Sequence, residues 1–252
     1  MGAHAPTADP RPRGRPQHRR RPAAIRLTLL DRFELREGAI AYRPSRAGQR
    51  LLVLLALHPG PVRRALAAQR LWPHLDERGA TGSLRSTLSR LRAVATGVVD
   101  ASGGGLGLGG RVAVDVAELE QAAGTILAGG SSEWTAARLA AELLPEWDDD
   151  WVILERERLR ELSLHAIEML SRQLSGAGRH AEAVAAAFAA VRLDPLRESA
   201  ARTLIQAQLA EGNRAQAVRT FLEFRGRLDA ELGIEPSEAL LGLMQALRFG
   251  LD

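Results

Sequence analysis

Apolar residues recur at spacings of four and three within residues 79–94, as they do along one face of a helix. Leu84, Leu88 and Leu91 form this stripe, and the stretch contains no carboxylate. We expect Ser83, Ser86, Ser89 and Arg90 on the opposite side, with Arg85, Thr87 and Arg92 on the flanks. A helix with one apolar face and a cationic, hydrogen-bonding back suits the DNA major groove. The alternative is a solvated surface helix in an arginine-rich chain.

The patterns around this stretch predict a winged helix. Residues 25–42 alternate between apolar and polar side chains, which indicates a small antiparallel sheet with a turn at Glu37 and Gly38. Helices are expected at 45–58, with Ser45 as its cap, and at 64–71. Residues 98–114 predict a hairpin with a glycine-rich turn. The order of sheet, three helices and hairpin is that of a winged helix-turn-helix with an N-terminal sheet.

The rest of the chain, residues 115–252, shows only helical patterns and contains a repeat. GRHAEAV at 178–184 recurs as GNRAQAV at 212–218, an offset of 34 residues, which is the tetratricopeptide period. Ala183 and Ala217 occupy positions where paired helices approach closely, and Asp194 and Pro195 separate the copies. Coincidence in an alanine-rich chain is the alternative. The predicted fold class is therefore an α+β winged helix followed by an all-α, tetratricopeptide-like domain.

Charge divides the chain at the same place. Residues 25–114 carry a net charge of +8, whereas residues 115–252 carry −9. Residues 1–24 are rich in Pro and Arg without an apolar period, and we expect a disordered basic arm there. The arm either adds non-specific DNA affinity or is an ordinary ragged terminus. The basic half suits a polyanion and the acidic half a different partner, so three segments are predicted: the arm, a DNA-binding domain at 25–114 and a helical domain at 115–252.

Several kinds of chemistry are disfavoured. The chain has no Cys and no Lys, which excludes disulfides, thiolate sites and a Walker phosphate-binding loop. Asp148, Asp149 and Asp150 stand between Trp147 and Trp151; we interpret Asp150 as a helix cap and the tryptophans as core. We therefore predict no enzyme, no cofactor and no metal site. No apolar run approaches bilayer length, and we expect a cytoplasmic protein that does not bind a membrane.

Two resemblances cover nearly all of the chain from residue 25 onward. RLTLLDRFELREG, GQRLLVLLALHPG, LAAQRLWP and LRSTLSRLR resemble the OmpR/PhoB-type winged-helix domain of response regulators. LLPEWDDDWVILERERLREL, DPLRESA and ELGIEPS resemble the bacterial transcriptional activator domain. In this order they are similar to the Streptomyces antibiotic regulatory protein family.

The resemblance implies specific roles within the winged helix. Thr87 and Arg90 would face bases or phosphates, Arg92 would clamp the backbone, and Trp72 would be a packing residue. We expect Arg90 and Thr87 to read base edges, and Arg85, Ser86 and Arg92 mainly to hold phosphates. The hairpin would be the wing, with Arg111 as its nearby basic residue, although it lacks the family's usual aromatic side chain. The complete set of expected DNA-contacting residues is Arg85, Ser86, Thr87, Ser89, Arg90, Arg92 and Arg111.

We therefore predict a sequence-specific, DNA-binding transcriptional regulator that binds double-stranded promoter DNA. The resemblance implies an activator that binds promoter repeats as a homodimer and recruits RNA polymerase. One alternative is a helical protein-interaction scaffold whose winged helix does not read DNA. Another is a nucleic-acid binder without site preference, driven by the arm. The groove between the repeat helices is a candidate site for a peptide or a small molecule, and nothing in the sequence selects between them.

Overall fold

The computed structural model describes residues 25–249, with side chains described through residue 246, so the expected arm at 1–24 lies outside the described residues. In chain order the elements are β1 (Ile25–Thr28), β2 (Glu34–Glu37), β3 (Ile40–Tyr42), α1 (Arg46–Leu57), β4 (Val62–Arg63), α2 (Arg64–Leu71), α3 (Glu77–Val94), β5 (Val99–Asp100), β6 (Gly105–Leu108), β7 (Val112–Val114), α4 (Asp115–Leu127), α5 (Ala136–Leu139), α6 (Asp150–Gly176), α7 (His180–Leu193), α8 (Glu198–Ala210), α9 (Arg214–Leu232) and α10 (Glu238–Phe249). This order confirms the predicted fold class. None of the helices within residues 25–249 is both long and apolar enough to cross a bilayer.

The N-terminal sheet has the strand order β3-β2-β1-β7 and buries one face of β1 and β2. The alternation in the sequence explains it, since Ile25, Leu27 and Leu35 are buried while Arg26 and Arg36 are exposed. Gly38 has φ +57° in the turn between β2 and β3, a conformation that glycine adopts without strain.

The expected hairpin at 98–114 is only partly correct. β5 and β6 form an antiparallel hairpin, and β4 adds a third strand to it. β7 instead leaves the hairpin and pairs in parallel with β1. The departure occurs at Gly109, whose amide donates to Val98 O at 3.0 Å and whose missing Cβ lets the backbone pass against Gly97. Val112 and Val114 then pack onto the core of the N-terminal sheet.

The three helices of the winged helix pack around a leucine core. α1 and α2 confirm the expected helices, and the Ser45 hydroxyl accepts a hydrogen bond from Gly48 N at 3.4 Å at the start of α1. Gly48 faces α3 so closely that a Cβ there would lie 3.0 Å from Leu91 Cδ2. The third helix begins at Glu77, before the stretch that revealed it, and Asp76 caps it by accepting from Gly79 N at 2.8 Å.

The helical half repeats one kind of turn, which confirms the repeat. Gly178 and Gly212 adopt φ +74° and +88° after α6 and α8. Each turn closes with matching backbone bonds, Gly178 N to Ser175 O at 3.0 Å and Gly212 N to Leu209 O at 2.9 Å. Ala183 and Ala217 are fully buried, as expected for residues where helices approach closely.

One hydrophobic core crosses residues 114 and 115, so the expected domain boundary there stays a prediction. Asp115 is 6% exposed, and its carboxylate accepts hydrogen bonds from Leu29 N, Leu30 N and Val116 N. Leu144 N donates to Leu29 O at 3.0 Å in the same segment. β1 itself lies between β2 and β7, and the segment that follows it, Leu29 and Leu30, is held by residues of the helical half.

Of the three aspartates before α6, Asp149 forms ion pairs with α1 across the junction, and the expected cap by Asp150 is not formed. Asp149, not Asp150, occupies the cap position, and its carboxylate makes no capping bond. It pairs with Arg50 of α1 at 2.7 Å and with Arg46 at 3.4 Å. Trp147 is buried as expected, stacked on Phe33 with centroids 6.2 Å apart and covered by the Arg46 guanidinium at 3.7 Å.

Candidate nucleic-acid interface

Helix α3 is anchored by the apolar stripe that the sequence indicated. Leu84, Leu88 and Leu91 are between 2% and 5% exposed and belong to the core of the winged helix. Leu91 packs against α1 at Gly48, and α2 covers the other end of the helix. These contacts fix the rotation of α3 about its own axis, which decides the side chains that it presents to solvent.

The solvent-facing side of α3 is a row of positions spaced by four and three. Arg78, Gly82, Arg85, Ser89 and Arg92 form this row; Arg78, Arg85, Ser89 and Arg92 are exposed. At about 100° per residue the row lies about 110° around the helix from the buried leucines. Ser86 is also exposed and lies directly opposite the leucines, and the exposed Arg90 lies on the far side of Ser86. Ser83, expected on the far side, is half-buried.

Thr87 does not face solvent, which corrects its assignment as a base-reading residue. It is only 5% exposed, between Leu84 and Leu91 on the buried side of α3. A threonine can occupy a core position because its methyl group is apolar, whereas its hydroxyl led us to expect it on the polar face. Thr87 is therefore no longer a candidate DNA contact.

The arginines on α3 are unpaired, unlike those of the sheet and of α1. Arg26 pairs with Glu118, Arg36 with Glu34 and Arg50 with Asp149, at distances from 2.7 to 3.0 Å. Within residues 25–246, no ion pair or side-chain hydrogen bond involves the guanidinium groups of Arg78, Arg85, Arg90 and Arg92. Neutralised arginines stabilise the fold, whereas unpaired ones on a rigid helix leave a positive surface for an anion.

The hairpin contributes no cation at its turn. Residues 101–104 join β5 to β6, and the Asp100 carboxylate accepts from Ser102 N at 2.8 Å, a bond that lowers the pKa of Asp100. Arg111, expected to serve the wing, lies before β7 and faces Glu37 of the N-terminal sheet at 3.6 Å. The structure therefore separates Arg111 from the hairpin turn.

Arg78 is the residue that sequence reasoning missed. It lies two turns before Arg85 on the same row, and the spacing of seven would have identified it had the helix been started at Glu77. The first turn of α3 also contains Glu77, so the purely cationic part of the helix begins after that turn.

A metal site is not formed by the described residues. Among them, His, Asp and Glu side chains form no cluster of three that would hold a metal ion.

Comparison with known families matches the helical half together with the end of the winged helix. The model described as the bacterial transcriptional activator domain matches residues 106–248. The chain belongs to this family. The match starts at β6, so the domain model includes β7 and the junction at Asp115 as well as α4 to α10.

Relatives of this transcriptional activator domain protein extend the likeness over the winged helix. The regulatory protein AfsR of Streptomyces coelicolor is 29% identical over 251 residues, which cover 93% of this chain and 25% of AfsR. The AfsR of Streptomyces griseus is 29% identical over 245 residues, covering 89% and 24%. The chain thus spans about a quarter of the length of these relatives. These likenesses support the expected resemblance to the Streptomyces antibiotic regulatory protein family.

A solved structure shares the whole architecture. Mycobacterium tuberculosis EmbR, determined in complex with a low-affinity phosphopeptide, aligns with a TM-score of 0.71 and 20% identity. The alignment covers 91% of this chain and 66% of the EmbR chain. At this identity the likeness concerns the fold, and it places the winged helix and the helical domain of this activator-domain protein in one shared arrangement.

Proposed function

We propose that this chain is a sequence-specific DNA-binding transcriptional regulator and that α3 enters the major groove of its operator. The observation that carries the proposal is the row of unpaired arginines on the solvent face of a helix whose opposite face is locked into the core. The family is regulatory, in agreement with a role in transcription rather than catalysis.

The positions of the residues along the row suggest which of them contact bases and which contact phosphates. Arg85 and Ser89 lie at its centre, so they are the residues we assign to base edges, with Arg85 donating both guanidinium arms to a guanine. Arg78 and Arg92 lie at its ends and would hold phosphates and set register. Ser86, opposite the buried leucines, and Arg90 beside it are assigned to the neighbouring bases or phosphates.

We further infer that the protein activates transcription by binding promoter repeats as a homodimer and contacting RNA polymerase. The family description supports the activating role, and the two regulatory AfsR relatives support a role in regulation. The acidic helical half, with its net charge of −9 over residues 115–252, is suited to a protein contact because DNA would repel it.

Selection of random duplex DNA by the full chain tests the proposal. The wild type is compared with Arg85→Ala, with Arg90→Ala and with Arg172→Ala, a matched control at an exposed position of α6. We expect a short motif that survives in the control. Arg85→Ala should relax one base position at a cost of about 1–3 kcal/mol, whereas loss of a phosphate contact should lower affinity uniformly and reduce the salt slope by about one.

Three results would contradict parts of this proposal. If no motif is enriched at moderate salt, α3 does not recognise a DNA sequence, and the result favours the alternative of a helical protein-interaction scaffold. If Arg90→Ala and not Arg85→Ala relaxes a base position, the assignment of the centre of the row is wrong. If the control behaves like the α3 variants, binding depends on overall charge and not on this helix.

A further inference from the structure

A groove in the helical half is not used by the proposed DNA contact. Helices α7, α8 and α9 enclose a trough of about 800 Å³. Part of its lining is apolar: Val184 and Phe188 come from α7, Leu204 from α8 and Phe224 from α9. Phe188 is 54% exposed, although an aromatic ring of this size gains most from burial. The groove therefore offers an apolar wall that the described chain leaves open.

The groove also contains a polar group that lacks a partner. Gln208 of α8 is 4% exposed and lines the trough. Its Oε1 is buried and accepts no hydrogen bond from any described residue. A buried acceptor left unsatisfied costs about 1–3 kcal/mol, so a ligand that brings an N–H or O–H donor to Gln208 recovers that free energy. This is the observation that points to an occupant.

The unpaired charges at the two edges of the groove differ in sign. Glu223 and Glu231 are exposed on the α9 edge, Arg192 is exposed on the α7 edge, and within the described residues none of these three side chains forms an ion pair. Two further charged residues line the groove but are engaged: Arg227 donates to Pro195 O at 3.4 Å, and Asp194 pairs with Arg160 at 3.2 Å. The two glutamates are eight residues apart on α9, or about 12 Å along the helix, which equals roughly four residues of an extended peptide.

We propose that this groove binds a peptide segment of a partner protein. The segment places apolar side chains against Phe188, donates a hydrogen bond to Gln208 Oε1, and carries a basic residue toward Glu223 and Glu231. An acidic residue on its other side meets Arg192. A peptide fits better than a small molecule because the charged groups are spread along the trough. The proposal goes beyond the DNA-binding function and does not depend on it.

The test starts from a phage-displayed library of random 12-residue peptides panned on the full chain. Enriched peptides are synthesised with a fluorophore, and their affinity is measured by anisotropy. We expect them to combine apolar residues with Lys or Arg. Affinity should fall by about tenfold or more in Phe188→Ala and in Gln208→Leu, which keeps the side-chain bulk but removes the acceptor. Leu222→Ala is the matched control: Leu222 is 57% exposed on α9 but does not line the groove.

Charge reversal tests the predicted orientation. Glu231→Lys should weaken a peptide that carries an arginine, and exchanging that arginine for glutamate should restore binding. Equal affinity for the wild type, Phe188→Ala and Gln208→Leu would overturn the proposal, as would a library without enrichment. Urea denaturation followed by circular dichroism shows whether the variants are folded, and the DNA selection described above, run on the same variants, separates failure of the groove from failure of α3.

Two other occupants are distinguished in the same experiments. Self-association that rises with concentration and disappears in Phe188→Ala would assign the groove to a second copy and overturn a partner peptide. Deletion of residues 1–24 could instead increase peptide affinity, and a synthetic 1–24 peptide could reverse that increase. This result would assign the groove to the chain's own arm and would overturn the proposal of a partner peptide.

Discussion

Replacing Asp115 with alanine should destabilise the protein far more than its position at the start of an ordinary helix suggests. The carboxylate is 6% exposed and accepts from Leu29 N at 2.9 Å and from Leu30 N at 3.1 Å, both at the end of β1. Alanine would leave three buried amide donors, those of Leu29, Leu30 and Val116, without this acceptor. At about 1–3 kcal/mol for each unsatisfied donor, the loss is comparable with much of a domain's total stability of about 5–15 kcal/mol.

The measurement is urea denaturation followed by circular dichroism, with Glu118→Ala as the matched control. Glu118 lies one turn later on the same helix and pairs with Arg26 at 3.0 Å, but this pair is exposed and should contribute at most about 1 kcal/mol. If Asp115→Ala is too unstable to purify, Asp115→Asn removes one of the two acceptors and should show an intermediate loss. A loss for Asp115→Ala no larger than that for Glu118→Ala would refute the reasoning.

The same carboxylate gives a pH dependence with a defined sign. Burial raises the pKa of Asp115 above its usual 3.8, although the amides of Leu29, Leu30 and Val116 act in the opposite direction. The folded state therefore holds the proton more tightly than the unfolded state. The stabilisation that protonated Asp115 contributes to the free energy of unfolding is complete below the unfolded-state pKa of this carboxyl. It decreases as pH rises through the folded-state pKa. The stability difference between wild type and Asp115→Asn should narrow over that interval; a difference that widens would contradict the prediction.

Three further predictions concern α3, the hairpin and the core shared by the two halves. Thr87→Val should leave the selected DNA motif and its affinity unchanged, because Thr87 is 5% exposed; a lost motif would show that this residue reaches DNA. Gly109→Ala should lower the free energy of unfolding in urea by about 1–3 kcal/mol, because the added Cβ would overlap the Gly97 carbonyl. Gly107→Ala, where the added Cβ meets open space, should lower it by less. Trp147→Ala should cost about 3–5 kcal/mol in the same assay, and a loss under about 1 kcal/mol would contradict its role in the shared core.

Local pattern determined the elements of this protein. The spacing of Leu84, Leu88 and Leu91 is a property of the chain itself, and a helix with that spacing must bury that side. The repeat at 178–184 and 212–218 likewise required only the period and the glycines that end each preceding helix. Ser45 at the start of α1 was identifiable for the same reason, because a cap bonds to residues two or three positions away.

Only the tertiary structure decided which polar groups are free. A sequence shows that Thr87 and Ser86 are both small and hydroxylated, but the rotation of α3 against α1 and α2 buries the first and exposes the second. The exit of β7 from the hairpin and the pairing of Asp149 with Arg50 join residues that are distant in the chain. Arg50 and Arg85 look alike in sequence, and the difference between a structural arginine and one open to DNA depends on a carboxylate that lies close in space and 99 residues away.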